Sequence, residues 1–396
     1  MTHSASRRRY DVLDGLRGIA AIMVMVYHFT LFGRWPLFPN GNICVDLFFI
    51  LSGFVIFHSY GEKLANRSMS HTRYLARRLI RLYPMLVISS LIGIPTLVFI
   101  NSLGLANFTR PGLIAAAASN VLMIPYLGDR SINNMGIPGH ADPASASIGS
   151  IFPINDPAWS LFFEIVASGL FLLFVRANEK KLFFIAAWGA ITTLLIAMLV
   201  ELNAGRLALQ FGLGWGTSNF LGGFSRVVYG FAMGILVYRL HLRENQPALL
   251  IALRKWIPSE AALYGLFAAI CAFPYLVRGI YPFFIIFTIA PILVWRGAEL
   301  DVSSTRSSHL THLLGRLSYP IYLLHFPIGR LVFALSKSGQ EAQAVFISII
   351  ATLIAAWLVE RFIDHPIRQW LDQSLVRRNA PASQAEAQPN CSTLLD

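Results

Sequence analysis

The chain has 396 residues, of which 55% are apolar and only 13% charged, with a mean hydropathy of +0.58. Many windows of about 20 apolar residues go with that composition, so a soluble core is excluded and the predicted fold class is all-α, a polytopic transmembrane helix bundle. The formal net charge of +12 would suit nucleic acid, but basic loops gathered on one face of a bilayer account for it, so no nucleic-acid partner is expected.

In chain order, residues 1–9 read as a cytoplasmic tail ending in Arg7, Arg8 and Arg9. No small-residue cleavage site follows the first span, so the N-terminus is expected inside and uncleaved. The first span, 13–32, carries Asp14, Arg17 and His28. Eleven residues separate Arg17 from His28, close to three helical turns, so both share one face about 16 Å apart along the axis, and Asp14 joins that stripe. A titratable group inside a span is costly and marks a functional path. The bland alternative is that Asp14 and Arg17 anchor the helix at the interface while His28 packs.

Span 41–60 returns inward with Asp46 near its outer end. Residues 61–84 then hold Lys63, Arg67, Arg73, Arg77, Arg78 and Arg81, a density that belongs to the cytoplasmic side. Arg73, Arg77 and Arg81 would line one helical face just before span 84–103, a stripe suited to phosphates or lipid head groups. Residues 113–127 are short and interrupted by Pro125, hence re-entrant or interfacial, and the stretch to Pro157 reads as an external loop.

Span 158–176 opens with Trp159, Ser160 and Glu164, and Ser160, Glu164 and Ser168 share a face with the carboxylate about 9 Å into the membrane. Further spans are expected at 182–200, 220–238, 261–277, 281–295, 317–335 and 344–362. Ser318, Tyr322 and His325 form a polar stripe on the ninth. Asp46, Arg226 and Arg330 read most simply as intramembrane ion-pairing partners, and Glu360 as similar. Cys44, Cys271 and Cys391 lie far apart and form no CxxC or Cys/His cluster, so neither a disulfide framework nor a metal site is suggested.

Charge tests this count of about ten spans with both termini cytoplasmic. Of the 32 Lys and Arg, 24 fall inside, six outside (Arg34, Arg110, Arg130, Arg206, Arg278, Lys337) and two within spans (Arg226, Arg330), which satisfies the positive-inside rule. Gly139 is thereby placed outside, and Arg73, Asn245 and Ser383 inside. The membrane domain is expected over 10–371, followed by a polar cytoplasmic tail, 372–396, disordered beyond Arg378.

The segments LDGLRGIAAIMVMVYH, VDLFFILSGFVI, YLARRLIRLYP, PAWSLFFEI, LGRLSYPIYLLHFP and ERFIDHP resemble, in the same order, the acyltransferase-3 family of integral membrane O-acyltransferases. The resemblance runs from about Tyr10 to Leu371. It matches Arg17 and His28 to the first-span basic and histidine pair, Arg78 and Arg81 to the Arg-x-x-Arg element, Trp159, Ser160 and Glu164 to PxWSLxxE, and Tyr319, Tyr322 and His325 to SYxxYLxH. With no hydrolase-like domain after the last span, the chain resembles the stand-alone members. The resemblance implies transfer of an acyl group, most often acetyl from acetyl-CoA, to a hydroxyl of a cell-envelope or exported glycan, without a metal, at the inner membrane.

Span polarity agrees with that chemistry. Arg78 and Arg81, with Arg77 and Arg17, would hold the phosphates of cytoplasmic acyl-CoA. His28 would serve as general base or acyl carrier, and Glu164 would orient its ring. Tyr322 and His325 would polarise the thioester or bind the acceptor, a carbohydrate or glycolipid, with Asp14, Asp46 and Ser160 in support. The rival from another class is a proton-coupled transporter or flippase using Arg17, His28 and Glu164 as a relay. It would favour paired, broken helices, and the sequence shows no internal repeat. Oligomeric state is left open.

Overall fold

The computed structural model describes residues 9–127, 149–209, 211–274 and 279–378. Gly139, Ser383 and Cys391 lie outside them. The helices, in order, are α1 (Asp11–Phe32), α2 (Ile43–Ile56), α3 (Glu62–Ala65), α4 (His71–Ser102), α5 (Arg110–Leu122), α6 (Ala158–Phe174), α7 (Glu179–Asn203), α8 (Leu221–His241), α9 (Ala248–Leu253), α10 (Glu260–Ala272), α11 (Ile280–Phe284), α12 (Ala290–Glu299), α13 (Thr305–Leu335), α14 (Glu341–Val359) and α15 (His365–Arg378). Single π-helical turns join α2 to α3, α11 to α12 and α14 to α15. The chain is an all-α membrane bundle, as its composition predicts.

Among the described residues, seven helical stretches are long and apolar enough to cross a bilayer, and α6 and α10 are shorter apolar helices. Helix α13 falls outside both groups, its apolar half diluted by Ser318, Tyr322, His325 and Arg330. Each of the ten expected spans coincides with a helix, but several boundaries differ: α13 begins at Thr305, twelve residues before its expected span, and α10 ends at Ala272, short of the expected 277. The third span was expected to begin at Pro84, whereas α4 starts at His71 and carries Pro84 and Pro95 within it. Proline removes one N–H without ending a helix that its neighbours hold, so the basic stripe and the apolar span are one continuous rod. At the other end, α15 runs through the expected 371/372 boundary to Arg378.

Local chemistry explains the helix starts. Side chains of Ser70, Thr109, Asn178, Ser259 and Ser304 each accept a first-turn N–H at the heads of α4, α5, α7, α10 and α13, which satisfies otherwise orphaned donors. Helix α5 has 13 residues, a length of about 20 Å. It lies against α4, where Tyr83 donates to the Val121 carbonyl at 2.5 Å and Asn120 to Ser90 at 2.8 Å.

The site depends on the pairing of α1 with α13. Small residues let their backbones approach: a Cβ on Gly315 would stand 2.8 Å from the Asp14 Cβ, and one on Gly18 would collide with Leu314, the close-packing logic of membrane helix pairs. The helices run parallel, with Arg17 beside Gly315 and Ser318 and His28 beside His325. Proline serves this helix too. Pro327 lacks the N–H that would bond the Leu323 carbonyl, and Asn155 donates to that carbonyl instead at 2.8 Å, fixing the 150–157 loop against α13.

Ten crossings with a cytoplasmic N-terminus make a direct prediction. In a background whose native cysteines are serine, an impermeant thiol reagent applied to intact cells should label Lys337→Cys and spare Arg73→Cys and Asn245→Cys. Labelling at position 73 would overturn the topology.

Candidate active site

A cavity of about 980 Å³ is lined by residues of α1, α2, α4, α6, α13 and α15, at the upper end of the range for small-molecule sites. Its lining includes Arg17, Arg77, Arg78, Arg81, Arg316 and Arg368 with the carboxylates Asp14, Glu164 and Asp372. Apolar Val45, Phe48, Phe49 and Leu161 also line it, as do Ser160 and Tyr322.

The arginines play different parts. Arg78 is 3% exposed. It donates to Glu164 Oε1 at 2.6 Å and to the Ser168 hydroxyl at 3.2 Å, while Ser52 donates to the same Glu164 oxygen at 3.1 Å. Arg17 bridges α1 to α13, donating to the Gly315 carbonyl at 3.0 Å and the Ser318 hydroxyl at 3.1 Å, and pairs with Asp14 at 3.3 Å. Arg81 makes no hydrogen bond or ion pair with a described residue, and the Arg77 Nε is buried without a partner. Arg77 and Arg81 are therefore cavity guanidiniums with donors to spare, as is Arg368 through its own unpartnered Nε, but Arg368 also pairs with Asp364, whereas Arg77 and Arg81 each keep a planar fork for a phosphate.

Tyr322 shares a 2.7 Å hydrogen bond with Ser160 and abuts Phe48 edge-on at 5.5 Å. Its ring centroid is 6.0 Å from that of His325. His325 is completely buried, and its Nε2 lies 2.9 Å from His28 Nδ1, the two rings inclined by only 22°. Tyr322 lines the cavity and neither histidine does.

Tautomers follow from this geometry. The Ile321 carbonyl, 3.1 Å from His325 Nδ1, can only accept, so Nδ1 carries the hydrogen and neutral His325 has a bare Nε2. That nitrogen must accept from His28 Nδ1–H. A neutral His28 thus carries an unprotonated Nε2, the form in which an imidazole can accept a proton.

The structure brings together His28, His325, Tyr322 and Ser160 in one group and Arg17, Arg77, Arg78, Arg81, Asp14 and Glu164 in another. It gives Glu164 different partners from the one expected: the carboxylate is held by Arg78 and Ser52, and the group oriented on the His28 ring is His325. The reason is proximity, since Glu164 and Arg78 face each other between α6 and α4. Asp46 takes a purely internal partner, with both carboxylate oxygens on Arg226 at 2.7 and 3.0 Å and both residues buried. Arg226 is stacked between Trp159 and Phe211 at 5.0 and 5.1 Å. Arg330 donates to the Pro153 carbonyl at 2.6 Å. Ser52 and Arg316 escaped the sequence reading, since serines and basic residues at span ends carry no signal of their own.

Among the described residues, Asp11, Asp14 and His312 bring possible metal-ligand atoms within 4.8 Å of one another. Arg9 lies 3.0 Å from Asp11 and Arg17 3.3 Å from Asp14, so the carboxylates already have cationic partners.

Comparison with known proteins fits this arrangement. The model of an acyltransferase domain family matches residues 10–361. A protein described as protein 2 in the picA locus of Rhizobium radiobacter is 31% identical over 199 residues, covering 48% of this chain and 95% of that protein. The putative peptidoglycan O-acetyltransferase YrhL of Bacillus subtilis is 24% identical over 96% of this chain and 58% of its own length. The peptidoglycan O-acetyltransferase OatA of Listeria monocytogenes is 25% identical over 92% and 56%. The chain therefore spans little more than half the length of these two relatives. No solved structure matches it.

The buried pair yields a prediction of its own. Arg78→Ala should destabilise the fold by about 3–5 kcal/mol, because it strands a carboxylate in the bundle, and adding Glu164→Gln should recover part of the loss. Thermal denaturation in detergent reads both. An Arg78→Ala variant as stable as wild type would show that the pair is not structural.

Proposed function

The chain belongs to the acyltransferase family that this domain defines, and from that premise we propose that it moves an acetyl group from cytoplasmic acetyl-CoA to a hydroxyl of a cell-envelope or exported glycan, at the inner membrane. The observation that carries the reading is the series Arg81 and Arg77, Tyr322 with Ser160, His325 and His28, which runs from a basic cavity to a hydrogen-bonded histidine pair.

Bound acetyl-CoA supplies an activated thioester carbonyl. Arg77 and Arg81 offer guanidiniums to its phosphates, and the apolar lining residues Val45, Phe48, Phe49 and Leu161 suit an uncharged arm carrying a short acyl group. Tyr322 and Ser160, sharing one hydrogen bond, have a hydroxyl hydrogen to turn toward the carbonyl oxygen as negative charge develops there. His28 Nε2 takes the proton of the acceptor hydroxyl as that oxygen attacks the carbonyl carbon, and returns it to the departing thiolate. Transfer thus leaves an ester on the acceptor and a free thiol on the donor. While His28 is an imidazolium, His325 Nε2 accepts from its Nδ1–H, and Ile321 holds His325 in the tautomer that can do so. His325 is a positioning residue in this scheme. Since neither histidine lines the cavity, its wall must open enough to let the thioester meet His28, and a rotamer change of Tyr322, the wall residue beside His325, is a movement of the required kind.

Two predictions follow from the division of labour. Arg81→Ala should weaken acetyl-CoA binding by about 1.5–3 kcal/mol, roughly ten- to hundredfold in Kd. Lysine at that site should recover part of it, since charge remains and the fork is lost. Unchanged affinity of Arg81→Ala in titration calorimetry would refute the phosphate assignment.

His28→Ala should cost at least about 10²- to 10⁴-fold in transfer, the usual worth of a general base, with acetyl-CoA affinity and thermal stability retained. His325→Gln, whose amide oxygen can accept from His28 Nδ1–H, should keep more activity than His325→Ala. A folded His28→Ala variant that acetylates within a few-fold of wild type would refute the base, and equal activities of the two His325 variants would refute the orienting hydrogen bond.

A further inference from the structure

Two of the three cysteines, 227 residues apart in the chain, meet with their sulfurs 3.9 Å apart. Cys44 is the second residue of α2 and Cys271 the penultimate residue of α10, and both are completely buried. The two segments are held together independently: Asn40 donates its backbone N–H to the Cys271 carbonyl at 3.1 Å and its side-chain amide to the Phe273 carbonyl at 2.7 Å. Under the charge-derived topology, α2 begins and α10 ends on the outer side of the bilayer, where thiols are not kept reduced.

We propose that Cys44 and Cys271 form a disulfide in the mature protein. A bond needs the sulfurs at about 2.05 Å, and an approach of roughly 2 Å lies within the reach of two side-chain rotations when the backbones are already tied by Asn40. Two thiols and a disulfide of an extracytoplasmic thiol oxidant react by exchange. The Cys44 thiolate attacks the oxidant disulfide, freeing one oxidant thiol, and the Cys271 thiolate then attacks Cys44 Sγ of the mixed disulfide, freeing the second. The chain loses two protons and two electrons, and the oxidant gains both. Because both sulfurs are fully buried once α10 is packed, exchange takes place during assembly and the finished bond is shielded from reductants.

The bond has a reason to be where it is. A Cβ on Gly41 would stand 2.5 Å from the Tyr27 Cβ, so the α1–α2 loop rests on Tyr27, whose ring lies 5.0 Å from that of His28. Tying the head of α2 to α10 holds that loop over the outer flank of the histidine pair.

The test is differential alkylation of the full-length protein carrying Cys391→Ser. Cells are lysed directly into denaturing detergent with N-ethylmaleimide, the protein is then reduced, and newly exposed thiols are labelled with iodoacetamide before peptide mapping. The expected result is N-ethylmaleimide on neither cysteine and iodoacetamide on both, with the linked peptide pair present before reduction. Cys271→Ser should make Cys44 react in the first step. N-ethylmaleimide on both cysteines of the parent protein would overturn the proposal. The assignment rests on the topology and not on the acetyl-transfer chemistry, so either can fail alone.

Discussion

The hydrogen bond between His28 and His325 depends on the parallel seating of α1 on α13, and much of the site depends on that seating in turn. It exists because Gly18 and Gly315 let the backbones close up, so that two polar stripes lie side by side. Arg17 meets Gly315 and Ser318 at one level and His28 meets His325 farther along. In a bilayer there is no hydrophobic force to press apolar faces together, and packing of small residues with interhelical hydrogen bonds supplies the attraction instead. The polar groups on this seam therefore hold the helices in register.

Around this seam the bundle handles buried charge by pairing it. Asp46 and Arg226 form a two-pronged pair walled by aromatic rings, and Arg78 is matched by Glu164. Such pairs give little net stability relative to apolar substitutes, but breaking one is costly. Arg81 and the Arg77 Nε break the pattern. Cations left without partners in a roomy cavity attract a polyanion, a contrast with Arg78 that the Arg-x-x-Arg spacing alone does not reveal.

Much of this was legible in the sequence. The three-turn spacing of Arg17 and His28, the Ser160 and Glu164 face, and the Ser318, Tyr322 and His325 stripe are helical periodicity, and the structure puts each set on one face. What periodicity cannot show is which stripe meets which. His28 and His325 are 297 residues apart, and their contact depends on the register of two helices, so the orienting role was assigned to Glu164 when the nearer group was a second imidazole. The same blindness hid the Cys44 and Cys271 contact. Boundaries failed at Pro84 for a different reason: proline was read as a helix start, but neighbouring elements sustain α4 through it.

The central claim is that donor and acceptor approach the histidine pair from opposite faces of the membrane. Its most direct measurement uses purified protein in liposomes, oriented with the cytoplasmic face outward. Labelled acetyl-CoA is supplied outside and glycan fragments from the parent cell envelope are sealed in the lumen. The account predicts labelled ester on luminal glycan and free CoA outside. Glycan crossing the bilayer without acquiring label, or label appearing only on glycan added outside, would contradict it.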